Sequence, residues 1–197
     1  MPEINRSTTS TRSQIVAIFT RTLLLMIIGI LPAAIAAAQT RDHLTAPESE
    51  LVRFHQELDK RIDVLIKAVD RRFAIINKTP QPATKKLLKD EPDWGDLPQG
   101  TRAQLLFDIG AILDEAITNI DDVSRRDEKN PLISRSLRKL TAAANGYMSN
   151  LTALSSQTTD DDELAAIERA LDQTSQIIEV GGKLPTPPPD EKKKKKP

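Results

Sequence analysis

The chain has no cysteine, two histidines, one tryptophan and one tyrosine in 197 residues. Without thiols there is no disulfide, no thiolate-held zinc or iron–sulfur cluster, no cysteine nucleophile, no c-type haem attachment and no cysteine-based lipid anchor. Aromatic side chains make up only 3% of the residues. The core therefore has to come from Leu, Ile, Val and Ala, which suits helices better than aromatic-rich strands. His43 and His55 cannot complete the paired Glu-x-x-His pattern of a di-iron bundle. No serine lies in a G-x-S-x-G turn, and the few glycines form no phosphate-cradling loop. Acid pairs such as Asp121 with Asp122, and Asp160 to Asp162, stand at expected helix ends, where solvation and capping account for them. A His/Met-ligated haem is weighed at His55 and Met148: on parallel helices their heights differ by about 15 Å, an antiparallel pairing brings them closer, and a seam-edge His55 with Met148 as core filler accounts for both more simply, so no metal or cofactor is expected. The same absences point away from an enzyme.

Charge is present in quantity but unevenly spread. The formal net charge is zero, yet residues 39–182 sum to −6 and residues 183–197 to +4. An acidic body carrying no recognition motif argues against nucleic acid as a partner. Near the amino terminus, Arg6, Arg12 and Arg21 precede a stretch from Thr22 to Ala38 with no charge, closed by Ala36, Ala37 and Ala38. Basic region, apolar region and small-residue site make residues 1–38 an expected secretory signal peptide, cut before Gln39. Its alternative is a retained inner-membrane signal anchor, for which the apolar stretch is at the short limit. Residues 39–44 form a short extension. The expected location is periplasmic or extracellular, with at most peripheral membrane contact once the signal is removed.

Residues 45–182 read as four amphipathic helices. Thr45 and Glu48 fit a capping box, with Pro47 in the first turn. Leu51, Phe54, Leu58, Ile62, Leu65, Val69, Phe73 and Ile76 then recur at steps of three and four, predicting one nearly straight helix. Glu57 with Arg61 and Asp63 with Lys67 are expected to pair on its outer side. Pro80, Pro82, Pro92 and Pro98 forbid its continuation and mark a long connection, in which residues 83–89 have room for one or two helical turns. Trp94, in that connection, is expected to fold over an end of the helices, or else to serve as an exposed anchor for a partner.

The second helix opens on a Thr101–Gln104 capping box and runs on Leu105, Ile109, Ile112, Ala116, Ile120 and Val123. Asn130 and Pro131 start a third, whose Ile133, Leu137, Leu140, Ala144, Tyr147, Leu151 and Leu154 form a coiled-coil-like heptad seam. Asp160 to Glu163 open a fourth, with Leu164, Ile167, Leu171, Thr174 and Ile178 inward and Gly181–Gly182 as its stop. The third helix carries bases and no acid, and the fourth carries seven acids and one base, so the two are expected to pair as antiparallel neighbours. The predicted fold is all-α: a four-helix bundle, mainly up-and-down, with a long proline-containing connection between its first two helices.

The closing stretch "KLPTPPPDEKKKKKP" stands apart. Its prolines favour a stiff extended spacer, and Lys192, Lys193, Lys194, Lys195 and Lys196 are expected to stay disordered. They either serve solubility alone or hold an anionic surface weakly. Taken together these features predict a non-catalytic exported helical protein of the envelope, an interaction or structural module whose partner is an envelope protein or an anionic surface. A membrane-anchored ligand-binding or sensory bundle is the alternative, and a haem or metal carrier a more distant one.

Overall fold

The computed structural model describes residues 42–80 and 90–185. Among them every regular element is helical: α1 (Ala46–Phe54), α2 (Leu58–Ile76), α3 (Arg102–Arg126), α4 (Pro131–Ser155) and α5 (Asp161–Gly182). The expected signal segment, the turns at 83–89 and the lysine run lie outside the described residues. No described helix is long and apolar enough to cross a membrane.

The helices start where the capping residues stand. Thr45 and Thr101 close full capping boxes with Glu48 and Gln104. Asn130 accepts from the Leu132 N–H at 3.0 Å, and Asp160 from the Glu163 N–H at 3.0 Å. Each such cap is worth about 1 kcal/mol by satisfying an otherwise orphaned donor. The predicted first helix, however, is two. The chain is extended at His55 and Glu57, and α2 begins without a side-chain cap. The apolar periodicity passes through the break unaltered, which is why it suggested one helix. The break turns α1 back onto α2. It also leaves Phe54, expected on the seam, 38% exposed.

Contacts between named residues give the directions. Arg61 meets Asn119 and Arg72 meets Asp108, so α2 and α3 are antiparallel. Lys139 reaches Asp59 and Asp63 while Tyr147 reaches Ile66 and Asp70, so α2 and α4 are parallel. Arg138 reaches Pro185 while Thr141 lies against Ile177, so α4 and α5 are antiparallel. Helix α5 packs along both α3 and α4, which themselves meet only briefly although consecutive in the chain. The α3–α5 approach uses small residues: Gly110 sits on the backbone of Ala170. Ala166 and Ala170 are buried there, while Leu164, expected inward, is 36% exposed.

The core runs continuously through α2 to α5, with Leu65, Ile109, Leu113, Leu140, Leu151 and Ile167 fully enclosed. Each contributes roughly 1.5–3 kcal/mol by leaving water. Phe73 stacks on Tyr147 at 5.3 Å between ring centroids. Charge is distributed differently from the sequence expectation. Arg61 turns to Asn119 and Asp63 to Lys139, so the pairs anticipated within α2 are replaced by contacts between helices. The bases of α4 go the same way: Arg135 and Lys139 meet Asp59 on α2, and among the described residues no ion pair joins α4 to α5. Gly181 and Gly182 do not stop α5, which extends through both to a cap at Lys183. Gly181 is required for another reason: a Cβ there would lie 1.9 Å from the Thr141 hydroxyl oxygen.

Candidate functional site

The densest set of polar side chains is buried where α1, the end of α2, the start of α3 and the 90–100 connection come together. Glu48 is wholly enclosed, Arg72 is 1% exposed, and Arg71 and Asp108 are each 2% exposed. Arg72 donates from both terminal nitrogens to the Glu48 carboxylate, at 3.0 and 2.9 Å. Its fork geometry matches the two oxygens, which makes this the strong form of ion pair. Arg71 Nε stands 3.2 Å from the same carboxylate, and Asp108 3.7 Å from Arg72 Nε. One Glu48 oxygen also accepts from the Thr45 N–H at 2.9 Å. Two acids and two bases thus balance one another, as buried charge requires.

The two arginines also bind main chain. Arg71 donates to the carbonyls of Trp94 at 2.9 Å, Gly95 at 3.3 Å and Asp96, and its guanidinium stands 5.4 Å from the Trp94 ring centre. Arg72 donates to the carbonyls of Ala68 and His43. The cluster therefore ties the residues before α1 and the irregular connection to one end of α2, supplying partners for carbonyls that no regular element would satisfy. Burial lowers the Arg71 pKa from its usual value, opposed by Glu48. Gly95 makes the connection fit: its φ is +61°, and a Cβ would stand 2.6 Å from Pro47 Cγ.

Two histidines border this region. His43 Nε2 lies 2.7 Å from Glu115 Oε2, and this hydrogen bond raises the imidazole pKa against a smaller opposing effect of burial. His55 Nε2 lies 3.3 Å from Glu91 Oε1, both nearly buried, joining the helix break to the connection. These pairs, like the arginine cluster, hold segments together. Among the described residues no three His, Cys, Asp or Glu side chains are grouped to hold a metal ion. His55 pairs with Glu91 at the helix break, and Met148 lies on α4 beside Tyr147.

Two clefts open on the surface of the described residues. One, of about 220 Å³, opens between the end of α3, the start of α4 and the end of α5, with Ile120, Leu137, Ile177 and Val180 in its walls. The other, about 490 Å³, lies between the first halves of α3 and α5, where exposed Phe107 faces the Arg169 guanidinium at 4.9 Å. Trp94 is half-buried against the core. Lys192 to Lys196 lie outside the described residues.

Sequence reasoning missed the arginine cluster. The Thr45 capping box already gives Glu48 a role, and nothing in the helical periodicity singles out Arg71 and Arg72. One signal was available: neither arginine has an acid three or four residues away on its own helix, although both adjoin the apolar Val69–Phe73 stripe. Comparison of the chain with family models, with curated proteins and with solved structures finds no match.

Proposed function

We propose that this chain is an exported, non-catalytic protein of the cell envelope, an interaction or structural module. Its body is a four-helix bundle of α2 to α5, connected mainly up-and-down and strapped by α1, and its basic segment binds anionic surfaces weakly. The observation that carries the non-catalytic reading is the use made of the buried ionisable groups. Glu48 accepts from both terminal nitrogens of Arg72 and from the Thr45 N–H and stands 3.2 Å from Arg71 Nε, and the terminal nitrogens of Arg71 donate to the 94–96 carbonyls. A general base needs a lone pair that a substrate can reach, and Glu48 is wholly enclosed with its charge held by two arginines.

Export rests on Arg6, Arg12 and Arg21, the uncharged stretch that follows and the alanines at 36–38. The surface reading rests on the five lysines at 192–196, each worth at most about 1 kcal/mol near an anionic membrane and weakened by salt. Such a contact is reversible and orients the acidic body away from the surface. Mass spectrometry of the protein from its own host tests export: a chain beginning at Gln39 is expected, and retained residues 1–38 would favour the anchored sensory reading instead. Co-sedimentation with phosphatidylglycerol-containing vesicles at low salt, with and without residues 190–197, tests the surface contact. Binding that is absent, or indifferent to the truncation, refutes it.

A further inference from the structure

The smaller cleft lies where the described chain leaves the fold. Val180, half exposed, is in its wall. Leu184 then packs on the core, and the Pro185 carbonyl accepts from Arg138 Nη2 at 2.8 Å. Arg138 adjoins Leu137, another wall residue. The next residues are Thr186, three consecutive prolines, Asp190, Glu191 and five lysines. A proline run suits an apolar cleft: it has no N–H to leave unsatisfied and its backbone is already restricted, so ordering it costs little.

Charge favours the same placement. Asp121 is exposed in the cleft wall, and Asp114 falls on the same stripe of α3, two helical turns earlier. Glu179, exposed one turn beyond the cleft-lining Gln176, holds Lys183 through one oxygen at 2.7 Å and presents the other to solvent. Residues 186–191 in extended proline geometry span about 19 Å, and Asp114 to Asp121 span about 10 Å of helix. That length is enough for the lysines to reach the acids with the prolines in the cleft.

We propose that residues 186–197 of this chain dock on its own body, with residues 187–189 against Ile177, Val180 and Leu137, and the lysines over Asp121, Asp114 and Glu179. The contact is intramolecular, so an effective concentration of about 1 mM suffices to populate even a weak site. Lysines held there are withheld from an anionic surface, and binding to that surface uncovers the cleft. Docking goes beyond the envelope reading and does not depend on it.

Carbodiimide cross-linking of the full chain at low salt, followed by mass spectrometry, tests the inference. Bonds from Lys192 to Lys196 should form within one chain to Asp121, Asp114 or Glu179, several-fold above those to exposed Glu50 on α1. Val180→Lys, at an exposed wall position, and a triple Pro187→Ser, Pro188→Ser, Pro189→Ser variant should each lower that yield several-fold with the circular dichroism unchanged. Equal yields at Glu50, yields indifferent to both variants, or bonds formed mainly between isotopically distinct chains would overturn it. Adding phosphatidylglycerol vesicles should suppress the cross-links. Survival of specific cross-links there would count against the surface contact proposed above and leave docking in place.

Discussion

Replacing Glu48 by Gln removes one negative charge from a site that water does not reach and turns one of its two acceptor oxygens into a donor facing Arg72. Gln retains the side-chain oxygen that receives the Thr45 N–H, because a capping box accepts either residue. What is lost is the charge facing Arg72 at 2.9 and 3.0 Å and Arg71 at 3.2 Å. Two buried guanidiniums then face Asp108 alone among the acids of this quartet. Removing one partner of a buried ion pair typically costs about 3–5 kcal/mol. That is a large part of the roughly 5–15 kcal/mol that holds a domain folded. Urea unfolding followed by circular dichroism should show the loss as a lowered midpoint with an unchanged slope. Trp94, the single tryptophan, should report it locally, since Arg71 binds its carbonyl and faces its ring. Arg72→Met in the Glu48→Gln background should cost less than the two changes summed, as expected for groups in direct contact. A Glu48→Gln cost under about 1 kcal/mol, or strict additivity, would refute the account of this cluster as the latch of the fold, because that range is typical of exposed pairs.

Gly95→Ala forces a side chain onto a backbone with φ +61°, 2.6 Å from Pro47 Cγ. The left-handed conformation alone costs about 1–2 kcal/mol, so thermal melting should show at least that loss with Trp94 emission shifted to the red. Gly181→Ala drives a methyl into Thr141, at 1.9 Å from its hydroxyl oxygen. Overpacking of this kind costs about 1–3 kcal/mol, and Thr141→Gly should restore much of it, whereas a missing rescue would mean the two helices do not meet there. The His43 pKa is raised above 6.5, first by Glu115. A raised pKa means the folded state holds the proton more tightly, so this pair's contribution is complete below about pH 6.5 and is lost as pH rises through the higher folded value. Glu115→Gln should remove that part of the pH dependence and lower the His43 titration midpoint measured by NMR.

The helical class, the caps and most of the inward stripe follow from the sequence, because each rests on interactions only a few residues apart. Thr45, Thr101, Asn130 and Asp160 cap because their side chains reach donors two or three positions ahead. Ile109, Leu113, Leu140 and Leu151 are buried because a period near 3.6 places them on one face. Periodicity could not reveal the break at His55, since local apolar spacing is the same on one helix or on two. A straight helix would have held Glu48 and Arg72 about 36 Å apart along its axis. The folded chain brings them to 2.9 Å, because burying either charge demands the other. Arg61, Asp63, Arg135 and Lys139 likewise meet partners on other helices, because the packing register sets which side chains lie within reach. Gly181 reads from the sequence as a stop and serves in the fold as clearance for Thr141. Local geometry determined where the helices form. Which charges meet, where a helix must break and where backbones must touch were decided by tertiary packing, since those energies depend on residues distant in the chain and on the exclusion of water between them.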